Sequence, residues 1–287
     1  MLQFLSKSFL HLILLKNGKI YITKRLVIDY HKFMKLSFVI PAYNEEDLIG
    51  KCLDSILKQA ANRPDDIEII VVNNASTDKT REIAASFSGV QVVNEPKKGL
   101  VNARHAGFLA STGDIIANID ADTILTPGWI NKVFKEFYEK QNLVALSGPY
   151  IYYDLSKTLN FLVRIYYYIG YAIHVINHFV LRAGAMLQGG NFIVRRTAIE
   201  KIGGFDVNIA FYGEDTDIAR RIQKVGRVKF TFKLPMYTSG RRLKKEGVLT
   251  TAWRYGINYF WTIFFKKPLT KTYTDVRLNL KDKKQAR

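Results

Sequence analysis

The chain has 287 residues, 48% of them hydrophobic, with a formal net charge of +18. That length allows one large domain or a domain with appendages. The single cysteine, Cys52, excludes an internal disulfide and fits a reducing compartment, and no Cys/His cluster has zinc spacing.

The charge is unevenly placed: residues 1–35 carry a net +6, residues 36–220 a net −3 and residues 221–287 a net +15. A near-neutral body with basic ends points to an anionic partner at the ends: nucleic acid, an acidic bilayer or a phosphorylated substrate. The apolar run from Phe9 to Leu15 is too short for a membrane span and is followed by Lys16, Lys19, Lys24 and Arg25. It lacks a small-residue cleavage site, so no secretory signal is expected. Met34 stands directly before the first strongly patterned strand. The expected organisation is an appendage over 1–33, a working domain over 34–245 and a basic aromatic tail over 246–287.

Leu36 to Ile40 reads as a strand stopped by Pro41, with Asn44 placed to cap the next helix. In that helix Leu48, Ile49, Cys52, Leu53, Ile56, Leu57 and Ala60 share one face. Ile67 to Val72 is a continuously apolar strand, as expected when both sheet faces are covered. A polar turn from Asn73 to Asp78 leads to a helix with Ile83, Ala84 and Phe87 inward. Val90 to Val93 is a third strand, Gly99 to Ala110 a third helix, and Asp114 to Ile119 a fourth strand ending at Asp120. Such alternation predicts a parallel α/β sheet with ligands at the carboxyl ends of the strands. Beyond Pro149 come a long aromatic helix over 155–183, a strand over Gly189 to Arg195 and a helix over Glu214 to Val225.

Asp120-Ala121-Asp122 closes the fourth strand. Carboxylates two apart in an extended segment project to one side and suit a hard divalent cation. Mg²⁺ or Mn²⁺ there would bridge nucleotide phosphates. A solvated turn with capping acids before Pro127 is the alternative. Three polar loops join it on the same predicted edge: Pro41 to Glu46, Asn73 to Asp78, and Lys97 to Leu100. A ring (Tyr43), amides (Asn73, Asn74) and cations (Lys97, Lys98) suit a nucleotide, although turn residues of these types populate many loops.

The string Phe38-Val39-Ile40-Pro41-Ala42-Tyr43-Asn44-Glu45-Glu46 resembles the opening of family 2 glycosyltransferases of the GT-A fold. The resemblance continues through Ala75-Ser76-Thr77-Asp78, the Gly99 to Gly107 segment with Ala103-Arg104, and Asp120-Ala121-Asp122. It then takes in Gly189-Gly190-Asn191, Gly203-Gly204-Phe205-Asp206 and Gly213-Glu214-Asp215, covering about residues 36–245. It implies a Rossmann-like, mostly parallel sheet and inverting transfer of a sugar from a nucleoside diphosphate. Pro41, Ala42, Tyr43 and Glu45 would line the base and ribose, Asn74 would face the base, and Lys98, Gly99, Arg104 and Asp120 would belong to the donor site. Many relatives carry Asp at one or both of positions 73 and 74; an Asn amide there would match N3–H and O4 of uracil.

In the family the Asp of the Glu-Asp pair is the general base, which assigns that role to Asp215, with Glu214 and Asp217 as fallbacks. An acidic first turn favoured by the helix dipole is the bland alternative. Asp120 and Asp122 would hold the metal. Arg241 or Arg242 would stabilise the departing nucleotide, since guanidinium forks suit phosphate oxygens; a solvated or lipid-facing basic patch explains the Arg-Arg run equally.

Two helical stretches bear on location. Over 248–266 a polar stripe of Thr250, Arg254, Asn258, Thr262 and Lys266 runs beside Trp253, Ile257, Phe260, Trp261, Phe264 and Phe265. That pattern suits an amphipathic helix facing a membrane, or one packed on the catalytic core. Over 161–181, Arg164, Tyr167, Tyr171, His174 and His178 fall along one side; the His spacing lacks the Glu of a zinc helix. The reading is therefore a metal-dependent glycosyltransferase with a lipid-linked or glycan acceptor, peripheral at the cytoplasmic face of a membrane, with no nucleic acid expected. A sugar-phosphate nucleotidyltransferase would need a Gly-rich, Arg-bearing loop after the first strand. A nucleic-acid binder would have no use for acids beside its groove. An inactive relative is disfavoured by the two intact acid motifs.

Overall fold

A computed structural model describes residues 13–16, 19–22, 34–176, 185–270 and 273–277. Ile13–Lys16 (β1) and Lys19–Ile22 (β2) pair antiparallel within a first unit that ends at Phe33, and a second unit begins at Met34.

The second unit opens with Leu36–Ala42 (β3), Ile49–Ala60 (α1), Ile67–Asn73 (β4), Thr80–Ala85 (α2), Val90–Asn94 (β5), Leu100–Ala110 (α3) and Ile115–Ile119 (β6). It continues with Ile124–Leu125 (β7), Trp129–Glu139 (α4), Leu143–Ser147 (β8), Tyr150–Tyr152 (β9), Lys157–Ile176 (α5), Asn191–Arg195 (β10) and Arg196–Lys201 (α6). Glu214–Ile222 (α7), Arg227–Phe230 (β11), Met236–Thr238 (β12), Arg241–Glu246 (α8) and Val248–Phe265 (α9) complete it.

The central sheet runs β5-β4-β3-β6-β10-β8-β11. Its pairings are parallel except those of β10, which runs antiparallel to both β6 and β8. The sheet is thus mostly parallel. Every residue of β6 and β8 is buried, because helices cover both faces. On α1 the buried residues Ile49, Cys52, Leu53, Ile56 and Ala60 recur at helical spacing. Each large aliphatic side chain so buried contributes about 1.5–3 kcal/mol.

Strand order reverses at β3, which lies between β4 and β6, so the loops after these strands diverge and leave a crevice at the carboxyl edge. β10 runs the other way and delivers its preceding residues, Gly189 and Gly190, to that same edge; Asn191 pairs with Ile119. A second sheet of order β7-β12-β9 brings Thr238 and the residues after it beside Asp122.

Several local expectations are corrected. Asn44 does not cap α1. It adopts φ +51° and its side-chain oxygen accepts from Thr77 N at 2.8 Å, lacing the first two loops together, while α1 starts at Ile49 with no side-chain cap. Pro41 lies within β3 rather than stopping it. On α5, Tyr167 and His174 are buried while Arg164 and Tyr171 are exposed, so those residues do not share one environment; His178 lies outside the described residues.

The polar stripe of α9 faces inward in its middle. Asn258 is 1% exposed and Thr262 0%, whereas Trp253 is 71% exposed and Leu249, Phe264 and Phe265 also face out. Asn258 explains the inversion: its amide donates to Thr270 Oγ1 at 2.8 Å and accepts from Thr270 N at 2.9 Å, tying down the chain after the helix. The helix packs on α7, with its broad aromatic face outward. Among the described residues, α5 is the helix long and apolar enough to cross a membrane by length and composition.

Candidate active site

Most of the expected site residues line one cleft of about 420 Å³, within the usual size range for a small-molecule site, while Asn73, Lys97 and the fallback Asp217 lie outside its lining. Pro41, Ala42, Tyr43 and Glu45 enter from the β3 loop, Asn74 from β4, Lys98 and Gly99 from the turn before α3, and Arg104 from α3 itself. Asp120 and Asp122 follow β6, Glu214 and Asp215 open α7, and Arg241 and Arg242 open α8.

Gly189 and Gly190 join the two acidic centres. Asp120 N donates to Gly190 O at 3.3 Å, and Gly189 N donates to Asp215 Oδ2 at 2.9 Å. Gly190 has φ +80°, and a Cβ there would collide with the Asp120 carboxylate and the Tyr150 hydroxyl. A glycine is required on both counts. Asn191 contributes from within the body: its amide donates to Gly148 O and Leu234 O, at 3.0 and 3.1 Å.

Arg104 is fully buried and spans the site from below. One end of its guanidinium pairs with Glu214, the other reaches Asp120 Oδ1 at 3.2 Å. Burial alone would ease loss of its proton, but the Glu214 and Asp120 charges more than offset this and raise its pKa above the ordinary value. With its charge spent on two carboxylates, Arg104 positions acids and offers no free fork to a phosphate. It does so from the wall of the cleft in which it was expected to serve the donor.

Glu214 is correspondingly a partner of Arg104 and not a free base. Asp217, the other fallback, is buried between Arg220 and Arg221 at 2.7 Å from each. Asp215 is different. Its oxygens accept from Gly189 N and from Thr216 N at 2.7 Å, and no cation pairs with it among the described residues. Burial pushes its carboxyl above the ordinary range, with the Gly189 and Thr216 hydrogen bonds and the Arg104 charge pulling back.

Two further expectations change. The Asn74 amide donates to Glu95 O and Lys97 O, both at 2.9 Å, and accepts from Gly99 N at 2.7 Å. Both of its N–H groups are used, so it clamps the 95–99 loop and has none left for a base edge. Glu45 is 3% exposed and accepts a bidentate fork from Arg241 at 2.9 and 2.5 Å, and also Arg277 Nε at 3.0 Å. It anchors arginines at the cleft wall and does not itself reach for a ribose.

Arg241 also lies 3.1 Å from Asp122 Oδ2, and Thr238 Oγ1 donates to Asp122 Oδ1 at 3.3 Å. Burial pushes the Asp122 carboxyl up to about 7; Arg241 opposes this while Glu45 and Asp120 add to it. Arg242 sits over the Phe211 ring, 4.8 Å from its centroid, and pairs with Glu246 at 2.8 Å. Lys98 Nζ lies 3.7 Å from the centroid of Tyr43.

Asp120 and Asp122 fit a hard divalent cation by donor type. They are carboxylates on one bend, and Asp122 sits where burial disfavours its charge and a cation would restore it. Among the described residues no group of three or more His, Cys, Asp or Glu is disposed to hold one metal ion together, so these two acids would supply only part of a ligand set.

Sequence reasoning missed Tyr150 and Arg277. Tyr150 OH reaches Gly189 O at 2.7 Å and Asp120 Oδ2 at 3.1 Å. It follows Pro149 just after β8, and only the parallel pairing of β9 with β12 reveals its direction. Arg277 sits in the basic tail among many cations, with no local pattern to single it out.

Residues 37–203 match the family model described as glycosyl transferase family 2. The chain belongs to that family. It is 30% identical over 207 residues to a probable glycosyltransferase, YdaM, of Bacillus subtilis, an alignment covering 67% of this chain and 47% of YdaM. The chain spans less than half the length of the first curated relatives it matches. Among solved structures it resembles the mannosyltransferase PcManGT of Pyrobaculum calidifontis in complex with GDP-Man and Mn²⁺. That match has a TM-score of 0.60 at 22% identity and covers 81% of this chain and 64% of that one. It also resembles glucosyl-3-phosphoglycerate synthase of Mycobacterium tuberculosis in complex with Mn²⁺ and UDP-glucose. There the TM-score is 0.56 at 20% identity, with 80% of this chain and 79% of that one covered. These likenesses establish the GT-A fold for the family 2 domain described above.

Proposed function

We propose that this family 2 protein transfers a sugar from a nucleoside-diphosphate donor to an acceptor hydroxyl by a single inverting displacement, at a membrane surface. The observation that carries the reading is the convergence of Asp120, Asp122 and Asp215 on one cleft, with Asp120 and Asp215 bonded to the same Gly189-Gly190 dipeptide.

Asp215 takes the proton of the acceptor hydroxyl as that oxygen attacks the anomeric carbon. The bond from the anomeric carbon to the diphosphate oxygen breaks, and its electron pair leaves on the nucleoside diphosphate. Attack opposite to departure inverts the configuration. Hydrogen bonds from Gly189 N and Thr216 N fix the orientation of the Asp215 carboxylate, and its raised pKa makes it a stronger base than a solvated aspartate.

Asp120 and Asp122 would hold a divalent cation, Mn²⁺ or Mg²⁺, which when bound supplies positive charge to the diphosphate leaving group. Arg241, held by Glu45 and 3.1 Å from Asp122 Oδ2, adds positive charge on that side. The Tyr43 ring lines the cleft under Lys98, and stacking of a base on it, a mode that tolerates different bases, would require that lysine to move aside. A UDP-sugar is the proposed donor, supported by the UDP-glucose complex of the Mycobacterium tuberculosis synthase; the GDP-Man complex of the Pyrobaculum enzyme makes guanine the second arm of the test. Membrane contact is supported by the outward aromatic face of α9 and the exposed Lys266 and Lys267 that follow it.

The test is a panel of UDP- and GDP-sugars assayed for release of nucleoside diphosphate with Mn²⁺, with Mg²⁺ and with EDTA. Release from at least one donor, abolished by EDTA and by Asp122→Ala, is the expected result. Donor turnover unaffected by both would refute the metal role.

A further inference from the structure

The cleft does not end at Asp215. It continues between α5 and α9, where Leu162, Tyr166 and Ile169 face Ala252, Tyr259 and Phe260. Tyr166 OH donates to Ala252 O at 3.3 Å, so the two helices are direct neighbours along this extension.

Three features say what fits there. The walls are aliphatic and aromatic, unlike the charged half around Asp120 and Arg241. The extension opens beside outward faces that are themselves apolar, with Phe161, Ile165 and Tyr168 exposed on α5 and Trp253, Phe264 and Phe265 on α9. Exposed cations occur on or directly after the two helices that border it: Arg164 on α5, and Lys266 and Lys267 after α9. An apolar slot that begins at a general base and opens on an apolar surface bordered by cations complements an amphiphile whose polar head sits at the base and whose chain leads out to a bilayer interface.

Each wall also contains a glycine in mid-helix, a placement that weakens a helix. A Cβ on Gly256 would meet nothing within 4 Å, and one on Gly170 would only approach Met186 Cε at 3.8 Å. Both glycines line the cleft, so the space they leave belongs to the slot and is not filled by the protein.

We infer that the slot between α5 and α9 binds the hydrocarbon chain of a lipid-linked acceptor, whose polar head group places the acceptor hydroxyl beside Asp215 while the chain runs out to the bilayer. This rests on the proposed transferase reading and names its acceptor class. The chain lies along α5 and α9, and the outward aromatic faces of the same helices rest in the membrane interface from which it enters.

The test uses the full chain and a series of fluorescent alkyl phosphates with 6, 10 and 14 carbons, each step about the length of one turn of helix, below their micelle concentrations. Affinity is expected to rise by about three- to fourfold for each methylene that enters the slot. Gly256→Trp and Gly170→Leu should each lower affinity for the longest probe by at least about tenfold, without lowering the melting temperature and without changing UDP or GDP binding. Chain-length-independent binding, or unchanged probe affinity in both variants, would overturn the slot. So would efficient turnover of a water-soluble oligosaccharide acceptor that Gly256→Trp leaves intact. Loss of nucleotide binding in the wild-type protein would instead strike the transferase reading, so the two failures are separable.

Discussion

Asp120 and Asp215, 95 positions apart in the chain, are bonded to adjacent residues of one dipeptide: Asp120 N to Gly190 O at 3.3 Å, and Asp215 Oδ2 to Gly189 N at 2.9 Å. The dipeptide therefore fixes the distance between the donor acids and the base. Gly190→Ala should disable the enzyme, because its Cβ meets the Asp120 carboxylate and the residue sits at φ +80°. The backbone alone costs about 1–2 kcal/mol, and the collision adds to it. Thermal unfolding and donor turnover together check this: a lowered melting temperature and loss of activity are expected. Gly189→Ala is milder, since its Cβ would lie 3.1 Å from Glu214 and 3.2 Å from Asp215. It should lower kcat with little change in donor KM.

The pH dependence follows from Asp215. A general base works only when deprotonated, and burial raises its pKa above that of an ordinary aspartate. Activity should fall as pH drops through that raised value, so the acidic limb of kcat against pH lies above the range of a solvated aspartate. A limb at or below pH 4 would contradict the assignment.

Cys52, on the inward face of α1, is completely buried, and burial pushes its thiol up to about 12. It should resist alkylation in the native protein at pH 8 and react fully once the chain is unfolded in guanidinium. Mass spectrometry before and after unfolding reads this directly.

Arg104 gives a stability prediction. Arg104→Met leaves Glu214 buried with no cation and frees Asp120 from its strut. Breaking a buried pair from one side costs about 3–5 kcal/mol, measurable as a lowered denaturation midpoint. Arg104→Lys should recover only part, because an ammonium does not span two carboxylates as a fork does.

The metal and the nucleotide should bind together. With two carboxylates on the strand-end bend and no larger ligand group among the described residues, Mn²⁺ alone should bind weakly. Addition of UDP or GDP is expected to tighten Mn²⁺ by at least about tenfold, a coupling of about 1.4 kcal/mol. Asp122→Ala should remove that coupling, as read by isothermal titration.

Much of this was legible in the sequence because β3, β4 and β6 are buried on both faces. Their unbroken apolar runs mark strands, and the polar residues just beyond them mark the ligand edge. The roles of Asn74, Glu45 and Arg104 were not legible. A residue type fixes which hydrogen bonds are possible, and only the fold decides which are already spent: the Asn74 amide on the 95–99 loop, Glu45 on Arg241 and Arg277, Arg104 on Glu214 and Asp120. Periodicity located α9 but not its orientation. Its Asn258–Thr270 clamp depends on a chain reversal that leaves no trace in helical spacing.

The most direct check of the central claim is the split between binding and turnover in Asp215→Asn. The variant keeps the size of the side chain and removes its basicity, so nucleotide affinity should match wild type while turnover falls by about a hundredfold or more. Turnover at the wild-type rate, with binding intact, would show that the acid beside Gly189 is not the base and that the convergence of these acids is structural only.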